Sequence, residues 1–215
     1  MKHFFLKNKY IKLLLSFSLI SITATILTPI TLLTIRKIII AEFGSKHGGY
    51  WDSINMISNN YFLFISMIMS LLILPEFSKA TTRKEIYTII KVLILKIFPV
   101  FTLGLVILWL FRHTLIQLLF SKDFLQTTQY IGIHFLGDTL KFIGWISGIF
   151  LIAKAQTKYY IIAEIISALS YIIFSLIFSY LFGYKGIFYA YITDNFIYSI
   201  IAIILAFRSG KHLLS

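Results

Sequence analysis

The stretch GDTLKFIGWISGIFLIAKAQTKYYIIAE, residues 137–164, decides the fold because it joins two apolar segments that are each long enough to cross a membrane. Asp138 and Lys141 lie well inside the first segment, and Glu164 lies about one turn into the second. A charge at bilayer depth costs at least ~2.5 kcal/mol on insertion scales, so such residues usually face a bundle interior or a watery cavity. The stretch therefore points to membrane-spanning helices that carry candidate functional residues.

The composition places the whole chain in the same class. Of 215 residues, 59% are hydrophobic and 13% are charged, against roughly 25% charged residues in soluble domains. The chain has no cysteine, which excludes disulfides and thiolate chemistry, and its five histidines show no metal-ligand spacing. The net charge of +12 is typical of basic cytoplasmic loops. We predict an all-α polytopic membrane protein with no nucleic-acid partner, metal or cofactor.

A helical span needs ~20 mostly apolar residues, and six stretches meet this requirement. They lie at about 11–35, 51–74, 89–111, 128–153, 159–182 and 187–207. We therefore expect residues 1–215 to form a single six-helix transmembrane lobe. The first stretch is longer than the hydrophobic core of a signal peptide, which favours an uncleaved first helix. Residues 115–120, between the third and fourth stretches, are expected to form a short helix in the membrane interface.

The distribution of lysine and arginine predicts the orientation. With the N-terminus inside, the cytoplasmic side receives twice as many of these residues as the outer side. The cytoplasmic set is Lys2, Lys7, Lys9, Lys12, Lys79, Arg83, Lys84, Lys91, Lys154, Lys158, Arg208 and Lys211. The outer set is Arg36, Lys37, Lys46, Arg112, Lys122 and Lys185. By the positive-inside rule, both termini are expected to be cytoplasmic.

Polar side chains on the second stretch follow one helix face. Asp52, Asn55 and Asn59 lie at positions i, i+3 and i+7. Carboxamides that face lipid would remain unsatisfied, so these residues must face protein or water. Interhelical hydrogen bonding and a wall that faces sugar or water both remain open. A hydroxyl stripe on the first stretch has two similar interpretations, helix packing or a substrate-lining face: Ser18, Ser21, Thr25 and Thr28.

Lysines within the spans are candidates for a positive cavity. Asp138 and Lys141 share a helix face at i, i+3 and can pair, either as a structural ion pair or at a site of substrate or ion coupling. Lys96 lies about two turns into the third span, where it either snorkels to the headgroups or places a charge in a cavity. Gly144 and Gly148 form a GxxxG pattern that favours a close helix contact.

Two further carboxylates need partners. Glu164 lies near a short loop, where an ion pair with Lys154 or Lys158 would close the turn. Asp194 lies about two turns into the last span and has no obvious partner on its own helix. A partner on another helix is implied, and Lys141 is one candidate. No nucleophile–base set, phosphate-binding loop or metal motif is present in the sequence, so we do not expect an enzyme.

Two stretches also resemble a known transporter family. Residues 137–164 are similar to a Gly-Asp-x-x-Lys … Ala-Lys-Ala … Tyr … Glu pattern, and residues 48–81, GGYWDSINMISNNYFLFISMIMSLLILPEFSKAT, to a Gly-Tyr-Trp … Leu-Pro-x-x-Ser pattern. Both patterns are those of bacterial O-antigen and enterobacterial common antigen flippases of the multidrug/oligosaccharidyl-lipid/polysaccharide exporter superfamily. Family positions are matched by Asp138, Lys141, Lys154 and Glu164. Asp52 departs from the pattern, in which a Gln-like residue follows the Tyr-Trp pair.

The resemblance implies two six-helix lobes around a central cavity, of which this chain corresponds to the second. The implied activity is translocation of an undecaprenyl-diphosphate-linked oligosaccharide across the bacterial inner membrane. The chain would then need a second lobe or a homodimer partner. In this interpretation Lys96 and Lys141 attract the diphosphate, Asn55 and Asn59 bind sugar, and Asp138 or Asp194 titrates.

Two alternatives belong to other functional classes. A lobe of a small-cation or drug exporter would be favoured by an excess of buried carboxylates over buried lysines. An inactive remnant or membrane scaffold would be favoured if no reading frame upstream encodes another lobe.

Overall fold

The computed structural model describes residues 8–213, and this part of the chain consists of helices and short connections without a β-strand. Six helical segments are long and apolar enough to cross a membrane, which confirms the predicted all-α polytopic membrane protein. The spanning helices are α1 (Asn8–Phe43), α2 (Ser45–Lys79), α3 (Arg83–Leu110), α5 (Thr128–Ala153), α6 (Thr157–Phe182) and α7 (Lys185–Leu213). A short helix α4 (Arg112–Leu119) and a 3-10 turn (Lys122–Thr127) connect α3 to α5.

The six spans alternate in direction, so their connections gather at two ends of the bundle. We call these the Gly183 end and the Lys154 end. At the Gly183 end, the Tyr184 hydroxyl donates a hydrogen bond to the His47 carbonyl (3.0 Å) and the Tyr50 hydroxyl donates to the Asp123 carbonyl (2.9 Å). At the Lys154 end, the Lys154 ammonium donates to the Ala80 carbonyl. These bonds tie loops that are distant in sequence to the same end.

Helices α2 and α3 each contain a π-helical turn immediately before a proline. The turns span Met69–Ile73 and Leu93–Ile97, and Pro75 and Pro99 lie in the first turn of the α-helix that follows each. Proline has no N–H and clashes with the carbonyl four residues earlier. The wider π turn accommodates this mismatch without ending the helix. As a result α2 continues to Lys79, beyond the boundary of the predicted second span.

The packing order of the helices differs from their order in the chain. Helix α7 packs along both α5 and α6, and α1 packs against α6 and α2. The α5–α7 contact is close because Gly144 lacks a side chain: a Cβ there would lie 2.7 Å from Tyr198 Cδ1 and 3.0 Å from Ser199 Cα. The Ser199 hydroxyl donates to the Leu140 carbonyl (2.7 Å) across this interface. This arrangement agrees with the close contact indicated by the GxxxG pattern.

Candidate functional site

A cavity of about 570 Å³ lies within the bundle and is lined by residues of α1, α2, α5, α6 and α7. Its polar lining includes Asn59, Lys141, Glu164, Asp194 and Asn195. Its aromatic lining consists of Phe62, Trp145, Tyr160, Tyr171, Tyr191 and Tyr198. Thr28, Asn59 and Leu63 are exposed, so the cavity is open along α1 and α2.

Two helices supply most of the polar wall through regular spacing. On α6, Tyr160, Glu164 and Ser167 are followed by Tyr171 at intervals of three to four residues. On α7, the same spacing places Tyr191, Asp194, Asn195 and Tyr198 on one face. Residues at this spacing share a helix face, so a polar stripe on each apolar helix faces the cavity.

Lys141 lies near the middle of α5 and reaches the cavity. Its ammonium lies 4.4 Å from the centre of the Phe62 ring on α2, a geometry in which the ring quadrupole attracts the cation. The expected pair with Asp138 does not form: within residues 8–213, Lys141 has no carboxylate at ion-pair distance. The Lys141 amino group therefore lies at the cavity wall beside an aromatic ring.

Asp194 is buried and is held by serines of the adjacent helix. The Ser167 hydroxyl donates to Asp194 Oδ1 (3.1 Å), and the Ser170 hydroxyl also donates to this oxygen. The partner on another helix that the sequence implied is therefore a pair of α6 hydroxyls and not Lys141. These hydroxyl donors replace the hydrogen bonds to water that a carboxylate loses when it is buried in the bundle.

Glu164 lines the cavity, which corrects the expected loop ion pair. Its Oε1 accepts a hydrogen bond from the Tyr198 hydroxyl of α7 at 3.2 Å. Lys154, one of its expected partners, instead donates to the Ser78 and Ala80 carbonyls. Glu164 shares a face of α6 with Tyr160 and Ser167, and this face points toward α7 and away from the loop.

Asp138 is fully buried behind the cavity wall and is absent from the lining. Its Oδ1 accepts hydrogen bonds from the Ser58 hydroxyl of α2 (2.9 Å) and the Tyr191 hydroxyl of α7 (2.7 Å). His134 Nε2 lies 3.9 Å from the same oxygen, and the His134 ring stacks on Tyr191 with 4.3 Å between ring centres. Asp138 therefore joins three helices.

The remaining predicted site residues have different positions. Asn59 is exposed and lines the cavity, whereas Asn55 is half-buried, lies outside the lining and donates to the Trp51 carbonyl (2.8 Å) of its own helix. Lys96 is exposed on the π turn of α3, outside the cavity. The structure thus brings together Asn59, Lys141 and Asp194, and separates Lys96 from them.

Lys154, at the loop between α5 and α6, is held by backbone carbonyl groups. Its ammonium bridges to the end of α2 through the Ser78 and Ala80 carbonyls. Burial lowers the pKa of the Lys154 side chain below its ordinary value of 10.5, because a desolvated ammonium is less favourable than a neutral amine.

No cluster of three acidic or histidine side chains suited to a metal occurs within residues 8–213.

The arrangement is a membrane-embedded polar cavity with one cation, two carboxylates, amides and aromatic rings. This chain is similar to two lipid III flippases. The lipid III flippases of Escherichia coli (strain K12) and Shigella flexneri are each 28% identical to it over 149 residues. The alignment covers 69% of this chain but 36% of each flippase, so the chain spans little more than a third of the length of these curated relatives.

Those flippases are transporters, which agrees with the prediction that the protein is not an enzyme. Their names refer to lipid III and not to O-antigen. No protein-family profile and no solved structure matches the chain significantly.

Aromatic residues are the main component that sequence reasoning missed. Tyr160, Tyr171, Tyr191 and Tyr198 line the cavity beside the predicted charges. Their helical spacing relative to Glu164 and Asp194 was a usable signal, but tyrosine in an apolar span is equally typical of ordinary helix packing.

Proposed function

We propose that this chain is one lobe of a flippase that translocates a lipid-linked oligosaccharide across the bacterial inner membrane. The observation that carries the proposal is the polar, aromatic cavity of about 570 Å³ inside a six-span bundle. A glycan cannot cross hydrocarbon without such a polar path, whereas its lipid tail can remain in the bilayer. The likeness to lipid III flippases supports the same class of substrate.

The chemistry of the lining fits a sugar-bearing substrate. Tyrosine and tryptophan offer apolar ring faces together with polar groups. Asn59 and Asn195 provide carboxamide groups that donate and accept hydrogen bonds. In this proposal Lys141 attracts the diphosphate that joins glycan to lipid. Lys96, which lies on the outer surface of α3, and Asn55, which bonds its own helix, do not contribute to this lobe's half of the site.

A second lobe or another copy of the chain completes the cavity in this proposal. Asn59 is exposed in the middle of α2, and Ser66, about two turns further on, also lines the cavity. Exposed carboxamides in hydrocarbon would lack partners, so this face requires protein or water. We propose O-antigen or enterobacterial common antigen units as the glycan, in accordance with the sequence resemblance.

Complementation tests the proposal. The chain, alone and with any lobe encoded upstream, is expressed in a strain that lacks its lipid-linked oligosaccharide flippase, and surface glycan is measured. We expect restoration by the wild type and by Lys158→Gln, an exposed control outside the cavity, and a loss of at least about tenfold with Lys141→Gln. Equal surface glycan with both variants would contradict the role of Lys141. If surface glycan is restored neither by the chain alone nor by the chain together with an upstream lobe, an inactive remnant is favoured.

One observation favours a second candidate, a lobe of a small-cation or drug exporter. The cavity carries two carboxylates, Glu164 and Asp194, against the single cation of Lys141. An excess of acidic groups attracts cations more than a diphosphate. Resistance to cationic drugs that depends on Asp194 and Glu164, without any change in surface glycan, would support this alternative.

A further inference from the structure

A groove at the Lys154 end is a second concave surface, separate from the cavity. It lies between α3, α5 and α7, has a volume of about 520 Å³ and shares no lining residue with the cavity. The first part of α3, Arg83–Val92, has no buried residue. This segment therefore packs only partly against the bundle, through the half-buried Ile86, Ile89 and Ile90, and leaves the surface that we call the α3 groove.

The α3 groove is formed by apolar stripes at helical spacing. Arg83, Ile86, Tyr87, Ile90 and Ile94 recur every three to four residues along α3. Residues at this spacing lie on one helix face. The face begins with a charge at the Lys154 end and is apolar further along the span.

The opposite walls continue the apolar surface. Ile143, Ile146 and Phe150 come from α5, while Ile203 and Phe207 come from α7. Phe77 of α2 also contributes, and its ring meets Phe150 edge-on at 5.7 Å. All of these walls belong to membrane spans, so we expect the occupant to come from the lipid bilayer.

Arg83 is the single charged residue of the groove lining. Within residues 8–213 it forms no ion pair. The nearest acidic residue in sequence, Glu85, is engaged in the helix cap, where its carboxylate accepts hydrogen bonds from the backbone N–H groups of Thr81 (2.7 Å) and Thr82 (3.2 Å). The guanidinium therefore offers its donors to an anion at the groove mouth, beside the exposed Lys84.

We propose that the α3 groove binds one anionic phospholipid of the bilayer. The headgroup phosphate contacts Arg83, and one acyl chain lies along the groove toward Ile94, Ile143 and Ile203. Guanidinium groups bind phosphate through paired N–H donors, and the apolar stripes match a hydrocarbon chain. A zwitterionic lipid of the same chain length lacks the net charge that complements Arg83.

The test compares lipids retained by the purified chain. The protein is incubated with equimolar phosphatidylglycerol and phosphatidylcholine of identical acyl chains, and bound lipid is counted by native mass spectrometry. We expect the wild type to prefer phosphatidylglycerol by about fivefold, the factor expected of one basic residue at an anionic membrane surface. Arg83→Gln should abolish the preference, while Lys91→Gln, an exposed lysine of α3 outside the groove lining, should keep it.

A second variant tests the acyl-chain position. Ile90→Trp fills the groove from α3 and should lower the retention of both lipids, with helix content checked by circular dichroism. Equal retention of the two lipids by the wild type would overturn the proposal, as would identical results for Arg83→Gln and Lys91→Gln. Unchanged retention by folded Ile90→Trp would also overturn it and would indicate a protein occupant. If Ile90→Trp does not fold, the Arg83 and Lys91 pair still decides.

Discussion

At the residue scale, two neighbouring charges on α5 have separate environments. Asp138 is fully buried and accepts hydrogen bonds from Ser58 and Tyr191, whereas Lys141 reaches the cavity above the Phe62 ring. The i, i+3 spacing places both on one side of the helix, but the facing side chains differ: Ser58 of α2 lies next to Asp138, whereas Phe62 of α2 lies next to Lys141. Asp138 is thus positioned to stabilise the bundle, whereas Lys141 lines the cavity.

We predict that Tyr191→Phe destabilises the protein by about 1 kcal/mol, the scale of an interhelical hydrogen bond in a membrane protein. The change removes the hydroxyl that donates to Asp138 Oδ1 at 2.7 Å and keeps the ring that stacks on His134. Unfolding by sodium dodecyl sulfate in mixed micelles measures the effect. Tyr180→Phe, at an 89% exposed side chain, should be neutral; a similar cost for both variants would contradict the assignment.

Lys154 should make stability dependent on pH in the alkaline range. Burial lowers its pKa in the folded state below 10.5, the ordinary value that applies in the unfolded state. At a pH between the folded and unfolded pKa values, the unfolded state therefore binds more protons than the folded state. Stability therefore rises with pH through this window, because the cost of a desolvated ammonium disappears as the side chain loses its proton. The measurement is the free energy of unfolding of the wild type relative to Lys154→Gln between neutral pH and pH 10.5.

The control for this pH dependence is Lys158→Gln, which removes an exposed lysine of α6. This variant keeps Lys154 and its two carbonyl partners, so it should retain the wild-type rise of stability with pH. A pH-independent difference between the wild type and Lys154→Gln would show that burial does not lower the pKa of Lys154.

At the element scale, glycine and proline decide how apolar helices meet and continue. Pro75 and Pro99 follow π turns that preserve α2 and α3 as continuous spans. Gly144 allows α5 and α7 to approach closely, and Gly186 allows the turn between α6 and α7 to close. These positions determine contacts that hydropathy alone does not specify.

Gly186→Ala, in the first turn of α7, should destabilise the protein strongly. A Cβ at this position would overlap the carbonyl oxygen and carbon of Phe178. Backbone must therefore shift, at a cost of about 3 kcal/mol. Gly49→Ala is the matched control because its Cβ would meet Phe124 Cζ at an ordinary 3.8 Å. Equal unfolding free energies for the two variants would contradict the close approach.

At the scale of the whole molecule, the bundle is polarised between its ends and between its faces. Tyrosine hydrogen bonds hold the Gly183 end, and Lys154 holds the other end. One face carries the open cavity with Asn59, while another carries the apolar α3 groove. The two faces therefore suit different neighbours, a polar one and a lipid.

The orientation of the bundle is tested by cysteine labelling, since the chain has no native cysteine. We predict that the Lys154 end is cytoplasmic, because it carries the larger share of lysine and arginine. Lys46→Cys, at the Gly183 end, should react with a membrane-impermeant maleimide in intact spheroplasts. Lys84→Cys, also exposed, should react only after lysis; the opposite pattern would invert the predicted topology.

The sequence by itself determined the spans and the polar stripes of this protein. Every backbone group in a bilayer must bond within its own helix, so hydropathy over about 20 residues locates a span without knowledge of its neighbours. The GxxxG pattern likewise indicated a close contact at Gly144.

Only the tertiary structure decided which stripes face one another. Asp194 bonds to Ser167 and Ser170, and Glu164 to Tyr198, because α7 packs beside α6 along its length. Lys96 and Lys141 both lie within apolar spans, yet only Lys141 lines the cavity. Spacing defines a face on one helix, but the partner of that face depends on side-chain packing between helices that are far apart in sequence.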